Sequence, residues 1–396
     1  MKRAATGNTL PDTAFRTDDP PSLYVANARR LRFMSQRCGS SARAETVAAR
    51  LLSSEGRKMK RNHPKGRGER PMTIEEELRL GDQQGERNWY EINRRKYPAK
   101  RKPKPAGCIA LATRLLKGSR VHSLKEWTPG NAQEFVGGPR SLGRPQQQLL
   151  RRFNGKRVEP ANFTQIYGGD DRNVYSTTSS PWVRIGQVRT SLGGWGSGAL
   201  VGKSTVLTAS HVVKSSWIPN GPILGTVTFT PGMFDGTSVL GAGWTANVIG
   251  IAAWEQFVGV DGYDMAICQL DQPFGTWLGY FGYRTYDDDW EDMEVWAHAG
   301  YPYDLSASGS RPCYQLGISV FDDDSDDYNT LELETEADIA SGQSGGPLWA
   351  RFENGGRQII GTLSGREDNF AEAKNSLYAG GSGLSNLCKW GRNHWG

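Results

Sequence analysis

Three short segments of the chain carry a histidine, an aspartate and a serine, the side chains that nucleophilic acyl transfer requires. The candidates are His211, Asp264 and Ser344, spaced 53 and then 80 residues apart. A serine hydroxyl is a poor nucleophile until a base takes its proton, and that base needs a carboxylate to orient it. Each residue alone would more often be an ordinary structural one. Together they predict a triad with His211 as base, Asp264 as orienting carboxylate and Ser344 as nucleophile.

The serine lies in a glycine-rich turn, residues 342–347, with the sequence Gly-Gln-Ser-Gly-Gly-Pro. Glycine adopts a positive φ without steric cost, so Gly342 can turn its own N–H and that of Ser344 toward one point. Two amides aimed in this way stabilise the oxyanion that forms when a carbonyl is attacked. The turn therefore predicts an oxyanion hole made by Gly342 and Ser344. This chemistry requires no metal and no cofactor.

The elements that must position these residues are predicted to be short strands. One apolar run, residues 206–209, precedes the histidine, and another, residues 265–270, follows the aspartate. Both are typical of buried strands that meet a turn. Alternating runs punctuated by Gly and Pro recur elsewhere, for example at residues 226–230 and 331–335. The pattern predicts an all-β fold built as a barrel.

Charge divides the chain into two parts. Residues 1–160 hold 35 Lys and Arg against 15 Asp and Glu, a net of +20, while the remainder holds 13 against 27, a net of −14. Eleven of the 13 tryptophans lie after residue 165. The second part is long enough to bury a core. We therefore predict a basic segment of low order at residues 1–165 and a catalytic domain at residues 166–396.

The basic segment admits two interpretations. Its runs of Lys and Arg at residues 57–61 and 100–104, with scattered Pro and Gly, are typical of a disordered region. It is a cleavable pro-segment or accessory tail, or it is an arm that binds polyanions. Within it, Thr73 and Glu76 have the spacing of a capping box and predict the start of one helix. Residues 108–116 are apolar but too short to span a membrane, and no signal peptide is visible.

The cysteines and the most acidic run are weaker signals. Five cysteines are an odd number; Cys268 is predicted to be a buried free thiol, and a Cys313–Cys388 disulfide is possible. Residues 322–327 are rich in aspartate but lack the glycine and the terminal glutamate of a calcium-binding EF-hand loop. We interpret this run as a solvated hairpin tip, and we predict no metal site.

From about Ile166 to its C-terminus the chain resembles the chymotrypsin-fold serine proteases, in particular their V8-like, glutamyl endopeptidase-like branch. The resemblance implies two β-barrels with the site in the cleft between them, and a serine endopeptidase that cleaves proteins or peptides through an acyl-enzyme. It also implies secretion, although no signal peptide is visible. The matching segments beyond the triad are residues 168–172, 180–182, 198–202 and 300–302.

The sequence departs from the family pattern at three places. Val212 follows the histidine where trypsin-like enzymes have a cysteine. Gln343 precedes the serine where trypsin-like zymogens carry an aspartate, so the activating contact between that aspartate and a new N-terminal amine is unavailable. Leu363 lies at or next to the place where V8-like enzymes have a histidine that binds substrate glutamate. Cleavage after basic residues is therefore favoured over cleavage after glutamate, which stays an alternative.

Three residues are candidates for substrate binding: Asp338, Leu363 and Ser364. Asp338 lies six residues before the serine, the offset at which trypsin places its specificity carboxylate. A carboxylate there would favour cleavage after arginine or lysine. An apolar pocket lined by Leu363 is the alternative. A second function class also stays open at this point, a catalytically weak protease-like binding module whose basic arm contacts polyanions.

Overall fold

A computed structural model describes residues 70–73, 75–76, 107–111, 123–129, 164–254, 261–353, 355–366 and 375–396. All of these residues belong to one compact unit, residues 67–396. The basic runs at 57–61 and 100–104 lie outside the described residues, as does Cys38. The predicted low order of the N-terminal segment and the domain boundary at residue 165 therefore stay predictions.

The described residues form mostly β-strands, and the predicted all-β class is confirmed. The strands are β1 (Gly107–Leu111), β2 (Ser123–Leu124), β3 (Thr164–Gln165), β4 (Asn173–Val174), β5 (Ile185–Thr190), β6 (Trp195–Leu200), β7 (Thr205–Thr208), β8 (Val227–Pro231), β9 (Met233–Phe234), β10 (Thr237–Ser238), β11 (Ala246–Trp254), β12 (Ala266–Leu270), β13 (Gly282–Arg284), β14 (Trp296–Gly300), β15 (Cys313–Ile318), β16 (Val320–Asp326), β17 (Thr330–Thr335), β18 (Ile339–Ala340), β19 (Pro347–Phe352), β20 (Gly356–Arg366) and β21 (Ser376–Gly380). The α-helices are α1 (Ser210–Val213), α2 (Phe274–Leu278) and α3 (Gly381–Trp395). Single 3-10 turns lie at Trp182–Arg184, Lys214–Ser216, Asp288–Trp290, Ala307–Gly309 and Asp327–Asn329.

The strands form two large sheets. The first has seven strands in the order β1-β11-β12-β7-β6-β5-β8, and a further pairing of β11 with β8 closes six of them into a barrel. The second has ten strands, in the order β16-β17-β21-β20-β19-β14-β15-β4, with β13 paired to β20 and β2 paired to β13. Helix α3 packs back on the first barrel, where Gly391 faces Ile267 so closely that a Cβ would lie 2.6 Å from the Ile267 Cδ1.

An aromatic cluster fills the space between the two sheets. The Trp182 ring centroid lies 5.1 Å from that of Tyr314, 5.3 Å from that of Trp349 and 5.5 Å from that of Tyr175. These four rings are nearly fully buried, and edge-on or tilted aromatic pairs at such distances add to the stabilisation from burial alone. Two of the tryptophans that the sequence concentrates after residue 165, Trp182 and Trp349, thus pack between the two halves of the domain.

Two pieces of the basic segment, β1 and β2, are strands of the two large sheets. Strand β1 lies parallel to β11, from Gly107 opposite Gly250 to Leu111 opposite Trp254. Strand β2 pairs antiparallel with β13. Just after β2, the backbones of Trp127 and Tyr280 exchange hydrogen bonds of 3.1 and 2.9 Å. The composition of the segment did not predict these pairings, because its high net charge is an average that does not reveal apolar runs of a few residues.

The Glu126 cluster, which consists of Glu126, Arg184 and Arg357, fixes the second piece. The carboxylate of Glu126 is 6% exposed and forms ion pairs with both guanidinium groups, which are 0% and 1% exposed. It also accepts the backbone N–H of Arg357 at 2.7 Å. Arg184 in turn donates to Thr128 Oγ1 at 2.8 Å and to the Leu278 carbonyl at 3.0 Å. One carboxylate therefore neutralises two buried cations, one in the 3-10 turn before β5 and one on β20.

The capping box predicted at Thr73 is present. The Thr73 N–H donates to Glu76 Oε2 at 2.8 Å, and the Glu76 N–H donates to Thr73 Oγ1 at 3.2 Å. This reciprocal pair satisfies two amide groups that a helix start leaves without partners. Within the part of the chain that the structure describes, no helix has the length and apolar character needed to cross a membrane.

The other predictions on cysteines and acidic residues have clear outcomes. Cys108, Cys268, Cys313 and Cys388 are all buried and free, so the possible Cys313–Cys388 disulfide is not formed. The acidic run forms a hairpin of β16 and β17, in which Asp322 lies opposite Glu334. Four of its five aspartates occupy the strand β16, and the fifth, Asp327, begins the hairpin tip at residues 327–329.

Candidate active site

Asp264 lies in the tight turn that leads into β12, and its carboxylate is 3% exposed. It accepts four hydrogen bonds. Oδ1 accepts from Ser210 Oγ at 2.6 Å and from the backbone N–H of His211 at 2.9 Å. Oδ2 lies 2.6 Å from His211 Nδ1 and accepts from Ser364 Oγ at 2.6 Å. A carboxylate held by four donors has one orientation, and that orientation fixes the imidazole.

His211 is the second residue of α1, directly after the buried strand β7. Because an ionised carboxylate only accepts hydrogen bonds, His211 Nδ1 carries the proton toward Asp264. The other ring nitrogen, Nε2, is then the free base in the neutral histidine. The side chain is 39% exposed, so this nitrogen is open to substrate.

The two residues shift each other's pKa in opposite directions. Burial lowers the pKa of His211, but the charge of Asp264 and its hydrogen bond raise it more, so the pKa lies above its usual value. Burial raises the pKa of Asp264, but the charge of His211 and the bonds from His211, Ser210 and Ser364 outweigh this, so that pKa is lowered. His211 becomes protonated when it acts as the base in acyl transfer. Asp264 is ionised at that point, so it faces the imidazolium as a negative charge.

Ser344 lies in a turn whose conformation only glycine permits. Gly342 has φ +95° and Gly345 has φ +83°. A Cβ on Gly345 would lie 2.2 Å from the Ser197 carbonyl oxygen and 2.3 Å from Thr208 Oγ1. The Ser344 carbonyl oxygen accepts the Ser197 N–H at 2.7 Å. The turn is therefore pressed against β6 and β7, the strands that lead to His211.

His211, Gly342 and Ser344 line one open cleft of about 640 Å³. Trp195 and Lys214 form part of its wall. The structure thus brings the predicted base, nucleophile and oxyanion residues to one surface, with Asp264 buried behind the base. The remaining residues that line the cleft are Gly193, Gly194, Val212, Ser215 and Ser341.

The residues that line this cleft do not include Asp338, Leu363 or Ser364, the three predicted substrate-binding residues. Asp338 is 1% exposed, and its two oxygens accept the N–H groups of Tyr167 at 2.9 Å and Asp171 at 2.7 Å. Leu363 is 1% exposed and exchanges backbone bonds with the turn after the serine. Ser364 binds Asp264 instead of facing the cleft. Sequence reasoning missed Ser210 and Ser364 as partners of Asp264, because a hydroxyl next to an apolar strand has no distinctive pattern.

Among the described residues, one group of carboxylates is close enough to hold a cation: Asp261, Asp326 and Glu332. Each is only partly buried, and the Gly262 N–H donates to Asp326 Oδ2 at 3.0 Å and to Glu332 Oε1 at 3.3 Å. Burial and the neighbouring charges of Asp326 and Asp264 raise the pKa of Asp261. The group flanks the turn that carries Asp264, and clusters of this kind are common without a bound ion.

Comparison with known proteins agrees with this geometry. The trypsin family model matches residues 166–387, more than half of the chain. The glutamyl endopeptidase of Bacillus licheniformis is 30% identical over 192 residues, which cover 48% of this chain and 56% of that relative. The match thus spans only a little over half of the relative's length.

Solved structures also resemble the chain. A Glu endopeptidase in complex with MPD is 21% identical, with a TM-score of 0.45, over 58% of this chain and 100% of its own. A thermostable serine protease from an extremophilic microorganism is 19% identical, with a TM-score of 0.37, over 54% of this chain and 98% of its own. The protease Anisep from Arthrobacter nicotinovorans is 20% identical, with a TM-score of 0.36, over 54% and 97%.

The match to the family model decides the class. The chain belongs to the trypsin family, whose members are serine-type endopeptidases of the chymotrypsin-like fold. The predicted family is confirmed. The relative that matches by sequence is a glutamyl endopeptidase, the activity that gives the predicted V8-like branch its name.

Proposed function

We propose that this protein is a serine endopeptidase that hydrolyses peptide bonds through an acyl-enzyme on Ser344. His211 is the general base and Asp264 its orienting carboxylate. The observation that carries the proposal is the 2.6 Å contact between His211 Nδ1 and an Asp264 carboxylate that three further donors hold in place. This arrangement leaves Nε2 of the histidine unprotonated at the edge of the cleft that also contains Ser344.

The chemistry follows from these positions. His211 Nε2 takes the proton of the Ser344 hydroxyl while its oxygen attacks the scissile carbonyl. The N–H groups of Gly342 and Ser344 stabilise the oxyanion, and the imidazolium gains from the buried charge of Asp264. His211 then donates its proton to the leaving amine, and the resulting acyl-enzyme is hydrolysed by a water that His211 activates in the same way.

Substrates are proteins or peptides, as for the family. We propose that Asp338 anchors the segment around Tyr167 and Asp171 and does not select a basic substrate residue, because both of its oxygens already accept backbone N–H groups. This replaces the preference for arginine and lysine inferred from its position in the sequence. Profiling a peptide library with wild type and Asp338→Asn is expected to give the same preference for the residue before the cleaved bond; a switch away from basic residues would contradict the anchoring role.

The main test is the loss of Ser344. Ser344→Ala is expected to lower kcat by about 10⁶, the typical cost of removing a triad nucleophile. A serine-directed fluorophosphonate should label the wild type at Ser344, and the variant should remain unlabelled by mass spectrometry.

Ser325→Ala is a matched control, since Ser325 lies exposed on β16 and lines no part of the cleft. It should label at the wild-type rate. Retention of a tenth of wild-type activity by Ser344→Ala would exclude the proposed nucleophile.

A further inference from the structure

The guanidinium of Arg172 is buried directly behind the nucleophile turn and has every donor engaged. Its Nε and Nη2 donate to the two oxygens of Asp170 at 3.0 and 2.9 Å. Nη1 and Nη2 donate to the two oxygens of Asp304 at 3.2 and 2.6 Å. The fifth N–H, on Nη1, donates to Gln343 Oε1 at 3.1 Å. With a side chain 1% exposed, this group has one possible position. We call these four residues the Arg172 cluster.

Gln343 is the residue immediately before Ser344, and its side chain is fully buried. Its Oε1 accepts from Arg172 and also from the Ala340 N–H at 2.9 Å. Its Nε2 lies 3.0 Å from His298 Nε2. The amide oxygen thus faces two donors, so the amide nitrogen must face an acceptor.

His298 supplies that acceptor. Its Nδ1 lies 3.1 Å from the Pro347 carbonyl oxygen, which can only accept, so Nδ1 carries the proton and Nε2 is free to accept from Gln343. Burial lowers the pKa of His298 to about 3, with the charge of Arg172 acting in the same direction. The histidine is therefore neutral. The hydrogen bonds all run in one direction: Arg172 donates to Gln343, Gln343 donates to His298, and His298 donates to the Pro347 carbonyl.

These side-chain contacts restrain the backbone on both sides of Gln343. Its N–H donates to the Ala340 carbonyl at 3.0 Å, and its carbonyl accepts from the Gly346 N–H at 2.8 Å. The neighbouring Gly342 carbonyl accepts from Ser197 Oγ at 2.8 Å. Gln343 separates Gly342 from Ser344, whose amides form the proposed oxyanion hole. Displacing the Gln343 side chain would therefore rotate those peptide groups.

We propose that Arg172 and Gln343 are positioning residues that hold the oxyanion turn in its active conformation, so that the site forms in the uncut chain without a new N-terminus. The cation that holds Gln343 is the buried side chain of Arg172 and not a chain terminus. It is already paired with Asp170 and Asp304. Activation then requires no α-amine. This inference rests on the proposed function of Ser344.

The kinetic test is Gln343→Met, which preserves size and removes the acceptor for Arg172. We expect kcat to fall roughly 10- to 100-fold with KM within about twofold, because an oxyanion donor acts on the transition state and not on ground-state binding. Arg172→Lys keeps the charge but loses the planar fork, and should lie between Gln343→Met and the wild type. Unchanged kcat in Gln343→Met would overturn the inference.

Gln358→Met is the matched control for a purely structural effect. Gln358 is also a fully buried glutamine, whose Oε1 accepts from Arg284 Nε at 2.6 Å, and it is not among the residues that line the cleft. It should lower the melting temperature while leaving kcat unchanged. An equal loss of kcat in both variants would show that general destabilisation, not positioning, explains the result.

The second measurement keeps the inference testable even if Gln343→Met fails to fold. The full-length chain is treated with a fluorophosphonate and its intact mass is measured. Labelling of the uncut 396-residue species at the same rate as any shortened species is expected, and labelling of shortened species alone would contradict the inference. If Ser344→Ala remains active, the proposed function itself fails; if only Gln343→Met remains fully active, the positioning inference alone fails.

Discussion

The Arg172 cluster and the Glu126 cluster both keep buried charges paired, but they do so with opposite ratios of cations to carboxylates. In the first, one buried guanidinium is shared by two carboxylates that are 19% and 21% exposed. In the second, one carboxylate that is 6% exposed serves two guanidiniums at 0% and 1% exposure. A buried ion left without its partner destabilises a fold strongly. The first cluster thus holds one cation with two carboxylates, whereas the second holds two cations with one carboxylate.

The two clusters also differ in which part of the chain supplies their residues. The Arg172 cluster comes from residues 170–172, 304 and 343, all within the stretch that matches the trypsin family. The Glu126 cluster joins that stretch to a residue from the basic segment, 58 positions before Arg184 and 231 before Arg357. The catalytic turn is thus steadied from within the family domain, whereas Arg184, in the 3-10 turn before β5, and Arg357 of β20 pair with a carboxylate outside it.

The largest expected effect is the removal of Glu126. In a Ser344→Ala background, which prevents self-cleavage, Glu126→Gln should lower the free energy of unfolding by about 3–5 kcal/mol, because two buried cations lose their ion pairs with the same carboxylate. Urea unfolding followed by tryptophan fluorescence measures this. Glu294→Gln, at an exposed glutamate, is the control and should change stability by less than about 0.5 kcal/mol. A loss under 1 kcal/mol for Glu126→Gln would mean that water replaces the carboxylate.

Acid should reproduce part of that loss in the unmutated cluster. Burial raises the pKa of Glu126, but the charges of Arg184 and Arg357 lower it more, so the net pKa lies below its usual value. A carboxylate whose pKa is lowered on folding stabilises the fold above its unfolded pKa of about 4.3, and this stabilisation is lost as pH falls through the folded pKa. The stability difference between the Glu126→Gln variant and its Ser344→Ala parent should therefore be constant from pH 7 to 5 and shrink below about pH 4. A difference that grows on acidification would reverse the assigned sign.

A smaller effect is expected from Asp304→Asn in the Arg172 cluster. Asp170 still pairs with the guanidinium, so the loss should be about 1–2 kcal/mol, close to that of one charged hydrogen bond. The same urea measurement in the Ser344→Ala background allows direct comparison with Glu126→Gln. Equal losses in the two clusters would remove the distinction between a redundant and a non-redundant carboxylate.

The smallest effect concerns the periphery of the Glu126 cluster. Thr128→Val removes the hydroxyl that accepts from Arg184 at 2.8 Å while keeping the shape of the side chain. Because Thr128 is only half-buried, water can take its place, and we expect a loss of about 0.5–1 kcal/mol. Thr237→Val, at an exposed threonine of β10, serves as the comparison. A loss of 3 kcal/mol or more at Thr128 would place it among the essential members of the cluster.

The sequence predicted what local pattern and chain order can carry. The His211–Asp264 contact and the positive φ of Gly342 follow from motifs of a few residues, and the all-β class follows from short alternating runs. The partners of Asp264 and both arginine clusters could not be predicted, because each joins residues that are distant in sequence and unremarkable in type. Asp338 shows the limit of a local offset: its distance from Ser344 in the sequence predicts a pocket residue, a prediction that stays untested, and it could not predict that backbone amides from the start of the domain donate to both oxygens.

Strand β1 also decides what the first barrel presents to other molecules. Strand β8 pairs with β11 only at Ala246 and Asn247, whereas β1 covers residues 250–254. Without β1, the N–H and C=O groups along that apolar half of β11 would form an open sheet edge, which templates pairing between chains. A chain that starts at residue 166 would therefore expose an aggregation-prone sheet edge in addition to losing the ion pairs of Glu126, which are two separate causes of poor solubility in that fragment.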